Sequence, residues 1–458
     1  MDTASDLHPL EQLARFCQDF QLNQASEATR SAVELCAIDT IGCAYGATQY
    51  EEIPRVMERL MHWHGLEARE NPMGLAQLWF DQGRVDIPLA VYCNAMLTHA
   101  LELDDVHRKS KSHVGAVVIP VAFTLAQALK KDGRALKEAI ICGYEVMSRV
   151  GMAMDVSSNR VKGWHTTSII GPFGAAAAAG KLLGFNQEQY ISAFGLAGTQ
   201  SSGLWAFLKD GATCKKMHVA HAAWSGIMAC ILTEGGMIGP KFILDAVDGG
   251  LYQAVSDSHN MNMLVEGLGN DYAIDDIDRK LYPCCRSTHP IIDSALALRR
   301  RIEAVEDIKS IDVFTYEVGV IQCGMPEYPT SPTQAKFSSA YVLACALLFG
   351  RVDEECFSPG YIERTDVRTL FDKITVLSGD KYTEQYPDQW GCETIITMRD
   401  GQKVPCEMEA MRGSPQNPLT ADDIAEKFRA LVEPVQGKEG AKDILDDIRW
   451  ALNKGHDT

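Results

Sequence analysis

The stretch Gly171-Pro172-Phe173-Gly174-Ala175-Ala176-Ala177-Ala178-Ala179-Gly180 decides the fold class. Alanine has the highest helix propensity of any residue, so the run reads as part of a helix over 167–183. Side chains this small let neighbouring helices approach closely, which puts the helix inside a bundle rather than on a surface. The helical period recurs on both sides of it. Residues 31–44 carry Val33, Ala37, Ile41 and Ala44 on one face, and similar patterns occupy 87–103, 115–129 and 220–232. Beyond residue 268 the texture changes. Residues 308–316 alternate at Ile311, Val313 and Thr315, and 373–377 give a second strand. Residues 393–398 and 403–408 flank Asp400-Gly401 as a hairpin. Helices at 289–303 and 336–348 interrupt these strands, so 269–407 are expected to form a smaller α+β unit. Thr420 caps a last helix, with Asp422 and Asp423 in its first turn.

A chain of 458 residues exceeds one ordinary core, which agrees with two folding units and a cleft between them. The net charge of −18 argues against nucleic acid and anionic membranes as partners, since both need a positive face. Met1-Asp2-Thr3-Ala4-Ser5-Asp6 has no apolar signal core, and no run reaches the roughly 18 apolar residues of a membrane span. The 14 cysteines lie largely in apolar runs, as expected of core thiols in a reducing, cytoplasmic setting. Cys284-Cys285 lacks the second Cys or His pair of a metal site, so no metal is expected. Gly174 to Gly180 before Lys181 is one residue too long for a phosphate loop, and Leu182 replaces its Ser/Thr.

The chemistry is signalled by charges at the wrong ends of helices. A helix N-terminus carries about half a positive charge, so bases are out of place there. Yet His113, His165, the trio Lys215, Lys216 and His218, and Arg286 with His289 all stand at helix starts, and Lys280 lies just upstream of the last group. A lone case is a surface or core histidine. Four together point to an anion that supplies the missing charge, and a di- or tricarboxylate fits. Arg286 is expected to grip a carboxylate through two parallel bonds. The mirror anomaly is the acidic group Glu102-Leu103-Asp104-Asp105, expected to close a helix at its negative pole, where a carboxylate could orient an imidazole or carry a proton.

At these residues the chain resembles the MmgE/PrpD family over nearly its whole length. The resemblance rests on His99-Ala100-Leu101-Glu102-Leu103-Asp104-Asp105-Val106-His107 with His113, on Gly163-Trp164-His165-Thr166-Thr167-Ser168, and on Gly171-Pro172-Phe173-Gly174. Asp210-Gly211-Ala212-Thr213-Cys214-Lys215-Lys216-Met217-His218 and Leu281-Tyr282-Pro283-Cys284-Cys285-Arg286-Ser287-Thr288-His289-Pro290 complete it. It implies a mostly α protein: a large all-helical domain of residues 1–268 and 408–458, a smaller α+β lid domain of 269–407, and a homodimer. It further implies proton chemistry beside a carboxylate with no cofactor. The family's site residues fall on Glu102, Val106, His113, His165, Lys215, Lys280 and Tyr341. Glu102 and Val106 depart from the animal decarboxylases of the family, which have Asp and Thr there.

Together these readings assign catalysis to His113, His165, Lys215, Lys280 and Tyr341, and substrate binding to Glu102, Asp105, Arg286, Lys216 and His289. The expected reaction is dehydration of a 2-methylcitrate-type β-hydroxy acid by proton abstraction α to a carboxylate. The alternatives are decarboxylation of cis-aconitate to itaconate and epimerisation of a substituted succinate of the iminodisuccinate type. A carboxylate-binding protein without catalysis is the reading from a different class; it would need the cations but not paired imidazoles.

Overall fold

The computed structural model describes residues 7–50, 52–63, 75–80 and 83–455; the acidic N-terminal hexapeptide lies outside them. The helices include α1 (Glu27–Ala47), α2 (Ile87–His99), α3 (Val114–Ala128), α4 (Gly133–Met152), α5 (Thr166–Leu183), α6 (Lys215–Glu234), α7 (His289–Arg299), α8 (Ser339–Phe349) and α9 (Ala421–Asn453, broken at Gly437). The alanine-rich α5 is the hub of the bundle, packed by α3, α4, α6 and the helix Gln187–Gly198. Its neighbours come too near for larger side chains. A Cβ on Gly226 of α6 would stand 2.3 Å from the Ala175 Cβ, and one on Gly174 2.6 Å from the Met147 Cβ.

A second core is built on a four-stranded sheet of β5 (Ile308–Thr315), β6 (Ile374–Ser378), β7 (Cys392–Met398) and β8 (Lys403–Met408), in the order β6-β5-β7-β8. Here β5 and β6 are parallel and the other pairs antiparallel; Gly401, at φ +91°, makes the β7–β8 turn. Helices α7 and α8 pack on this sheet. After it the chain returns, and α9 lies against α1 and α4, so Ile424, Phe428 and Val432 join the helical core. Short pairs that the sequence did not reveal are β1 (Leu75–Gln77) with β2 (Arg84–Asp86), and β3 (Val106–His107) with β4 (Ile277–Asp278). The β3–β4 pair carries the helical core on to Ile277, beyond the expected limit at residue 268. Among the described residues no helix is long and apolar enough to cross a membrane.

One helix differs from expectation in a way that matters. The pattern over 87–103 predicts helix to Leu103, but α2 ends at His99 and Glu102 takes a left-handed backbone with φ +58°. Non-glycine residues avoid that region because Cβ meets the backbone, and such strain gathers at functional sites. The acidic group is therefore an unwound loop.

Candidate active site

This loop is held by lysines from three distant segments. Lys336 donates to the carbonyl of Leu101 (3.0 Å), Lys280 to that of Glu102 (2.8 Å), and Lys427 to that of Leu103 (2.8 Å). Carbonyls freed by unwinding must be satisfied when buried, and cations suit the negative end of α2. The Glu102 side chain lies against Lys215 and within 3.6 Å of Lys280. Burial opposes its charge, but Lys215, His99 and Lys280 outweigh burial and hold the carboxyl well below the usual range. Lys215 in turn is 2.6 Å from His99 Nε2.

Asp104 ties two imidazoles together. Its carboxylate is 2.9 Å from His99 Nδ1 and 3.0 Å from His113 Nδ1, and the Asp105 carbonyl is 3.1 Å from the latter. Both Nδ1 atoms therefore carry hydrogen, which leaves His113 Nε2 as a free lone pair. Burial pushes His113 down to about 3, and Lys215, His99 and Lys280 add to that against the pull of Asp104. The imidazole is neutral and Asp104 ionised. His165 caps α5, with its Nδ1 3.2 Å from His218 Nδ1 and its ring centroid 6.1 Å from that of His99. Burial, then Lys215, holds His165 well below its ordinary value.

His99, Asp104 and His113 bring ligand atoms within 4.8 Å of one another, a cluster that sequence spacing did not foresee. The donor set does not suit a resident dication. Both Nδ1 atoms are turned to Asp104 and His99 Nε2 meets the Lys215 ammonium, which leaves His113 Nε2 as the one imidazole lone pair. The cluster is a proton-bridged one.

Two cavities flank it where the helical core meets the sheet unit. The larger, about 380 Å³, is bordered by His99, Glu102, Lys215, Lys216, Lys336 and Phe337. The smaller, about 30 Å³, is bordered by Lys111, His113, Arg160, His165, Trp205 and Arg286, with Val106 on its wall. Arg286 Nε bonds Asp278 at 2.9 Å, and Nη1 bonds His289 Nδ1 at 2.9 Å and the Arg412 carbonyl at 3.1 Å. Only its buried Nη2 has no partner.

Residues 11–264 match the family model for the MmgE/PrpD N-terminal domain, and residues 282–450 the model for the C-terminal domain. The chain belongs to the MmgE/PrpD family. Among its relatives, the cis-aconitate decarboxylase-like protein oryM of Aspergillus oryzae is 28% identical over 78% of each chain. The cis-aconitate decarboxylase of Homo sapiens is 28% identical over 76% of this chain and 74% of its own. The 2-methylcitrate dehydratase of Escherichia coli strain K12 is 19% identical over 81% and 78%. These relatives are lyase-type enzymes.

In this MmgE/PrpD protein the residues expected at helix starts converge: His113, His165, Lys215 and Arg286 all border the two cavities, and Lys280 is buried behind Glu102. Three expected residues sit away from the cavities, and a fourth lies at a rim. Tyr341 lies in the core of the sheet unit, its hydroxyl donating to the Cys356 carbonyl at 2.6 Å, because α8 is apolar and buried on all sides. Asp105 points under α3, accepting from Gly115 N–H (2.8 Å) and Tyr144 O–H (2.6 Å). A Cβ on Gly115 would be 2.6 Å from that carboxylate, so glycine is required there. His289 backs Arg286 rather than facing a cavity. Lys216 is on the rim of the larger cavity, paired with Glu52 at 2.9 Å. The expected two-bond fork of Arg286 is also absent, since Asp278, His289 and Arg412 already hold Nε and Nη1. Sequence reasoning gave no role to His99, Lys111, Arg160 or Trp205. His99 stands in the family motif, but nothing in the pattern of the others marks them.

Proposed function

We infer that this chain is a lyase of small tricarboxylates that releases carbon dioxide from a cis-aconitate-type substrate. The support is the similarity to cis-aconitate decarboxylases over about three quarters of each chain, joined to a site whose imidazoles face unpaired cations. In such a reaction the carboxylate on the methylene carbon leaves as carbon dioxide, and its bonding pair becomes the new C=C. The pair of the old double bond takes a proton at the carbon bearing another carboxylate. A trianion and one proton thus give a dianion and carbon dioxide. Arg286 Nη2 would hold a carboxylate, and Lys215 would stabilise charge that develops during the shift. His113 would deliver the proton: a bound trianion raises its proton affinity, and Asp104 stabilises the imidazolium. A cavity of about 30 Å³ holds little more than one or two water-sized groups, so a tricarboxylate is seated only when the sheet unit shifts away from the helices.

Dehydration of a 2-methylcitrate-type acid is the second reading, and one observation favours it. His113 and His165 are both held neutral, the state that a base needs. One would take the proton α to a carboxylate, and the imidazolium so formed would pass it to the departing hydroxyl, which leaves as water.

Incubation with cis-aconitate and with 2-methylcitrate in deuterium oxide, followed by NMR and carbon dioxide capture, tests both. Carbon dioxide with itaconate deuterated at the saturated methylene supports the first reading. Loss of water without carbon dioxide supports the second, and no turnover of either would sink both.

A further inference from the structure

The smaller cavity is lined by donors with nothing to donate to. Fifteen buried side-chain atoms among the described residues lack a hydrogen-bond partner, and five belong to its lining. Four are donors: Lys111 Nζ, Arg160 Nε, Trp205 Nε1 and Arg286 Nη2; the fifth is Gln322 Oε1. Unsatisfied buried donors are costly, and unpaired buried cations more so, which makes such a concentration in one place informative. The groups that act on Lys111 are Arg160 and the thiols Cys285 and Cys323, with Tyr386 beneath its ammonium at 5.7 Å; no carboxylate is among them. Arg160 likewise answers only to Cys323, Cys285 and Tyr386.

Both cations are held in place. Lys111 has a left-handed backbone, φ +50°, as Glu102 has beside the larger cavity. Arg160, from the short helix Val156–Val161, lays its guanidinium on the Trp205 ring at 4.2 Å, which fixes its plane. The N-termini of α3 and α5, at His113 and His165 on the cavity lining, add positive potential. Burial, followed by repulsion from Arg160, brings Lys111 down to about 7, as expected of a cation whose counter-charge has yet to arrive.

We propose that Lys111 and Arg160, with Arg286 Nη2 and the Trp205 N–H, grip one substrate carboxylate remote from the reacting carbon and so select di- and tricarboxylates over monocarboxylates. The identity of the reacting carbon rests on the lyase reading above; the grip itself does not.

The test is calorimetric binding of propane-1,2,3-tricarboxylate, glutarate and propionate to the full-length wild type, Lys111→Met, Lys111→Arg and Arg160→Leu, each with its melting curve. Lys111→Met and Arg160→Leu should each weaken tricarboxylate binding by roughly 10- to 100-fold, while Lys111→Arg stays within about fivefold. The preference for tricarboxylate over propionate should shrink by the same factor. A folded Lys111→Met and a folded Arg160→Leu that bind tricarboxylate like the wild type overturn the proposal. So does an equal loss for all three ligands, which marks a general disturbance. These arms need no turnover. If neither cis-aconitate nor 2-methylcitrate is consumed but the preference still depends on Lys111, the reaction assignment falls and the grip stands.

Discussion

The loop after α2 and the small cavity beside it both gather buried charged groups and differ in how these are partnered. In the loop, Glu102, Asp104, His99, Lys215 and Lys280 satisfy one another, and three lysines occupy its carbonyls. In the cavity, Lys111, Arg160 and Arg286 each keep a nitrogen idle. A charge network closed on itself fixes proton positions before substrate arrives, which is what proton transfer needs. An open set of cations is complete only when an anion binds. The contrast separates the chemistry from the grip, with His113 standing between them.

The largest expected effect tests where the chemistry lies. His113→Gln should lower kcat by about 10²- to 10⁴-fold while leaving tricarboxylate binding within a few-fold, because an amide hydrogen-bonds but transfers no proton. Equal losses of kcat and affinity would erase the division between the two regions. Stability should then respond with opposite signs. Glu102→Gln leaves two buried lysines beside a neutral amide and should cost about 3 kcal/mol. Lys111→Met removes an unpaired buried cation and should raise the melting temperature, by about 1–2 kcal/mol in stability, while harming binding. Denaturant titration of both variants reads the signs directly, and a shared sign would show that the cavity is not held open at a cost.

The division also shows in the pH profile. With burial holding free His113 at about 3, its charged form is scarce near neutrality and scarcer as pH rises. If it delivers the proton, kcat at saturating cis-aconitate should fall from pH 5 to pH 8, by up to about tenfold per unit above its pKa in the complex. A profile flat from pH 5 to 7 would mark His113 as a base instead and move the assignment to dehydration.

The sequence by itself determined the bundle, its hub and the helix starts that carry the charges of the candidate site. Alanine and glycine in 171–180 leave no other use for α5 than close packing, and His113 and His165 stand at N-caps because the periodic pattern begins just after them. The hairpin at Gly401 and the Thr420 cap were legible for the same reason: each is a local rule with local residues. Tertiary structure decided whatever depends on partners far along the chain. α2 stops at His99 although its apolar pattern continues, because Lys280, Lys336 and Lys427 offer the unwound carbonyls better partners than another turn of helix would. Tyr341 sits where the motif resemblance put it in the sequence, yet its hydroxyl is committed to Cys356 fifteen residues on. Lys111 and Arg160 meet only because β3 and the short helix at 156–161 are brought to one wall of a cavity. Periodicity records which face of an element is apolar; it does not record which charges will be left unpaired when the elements meet, and that is what shapes this site.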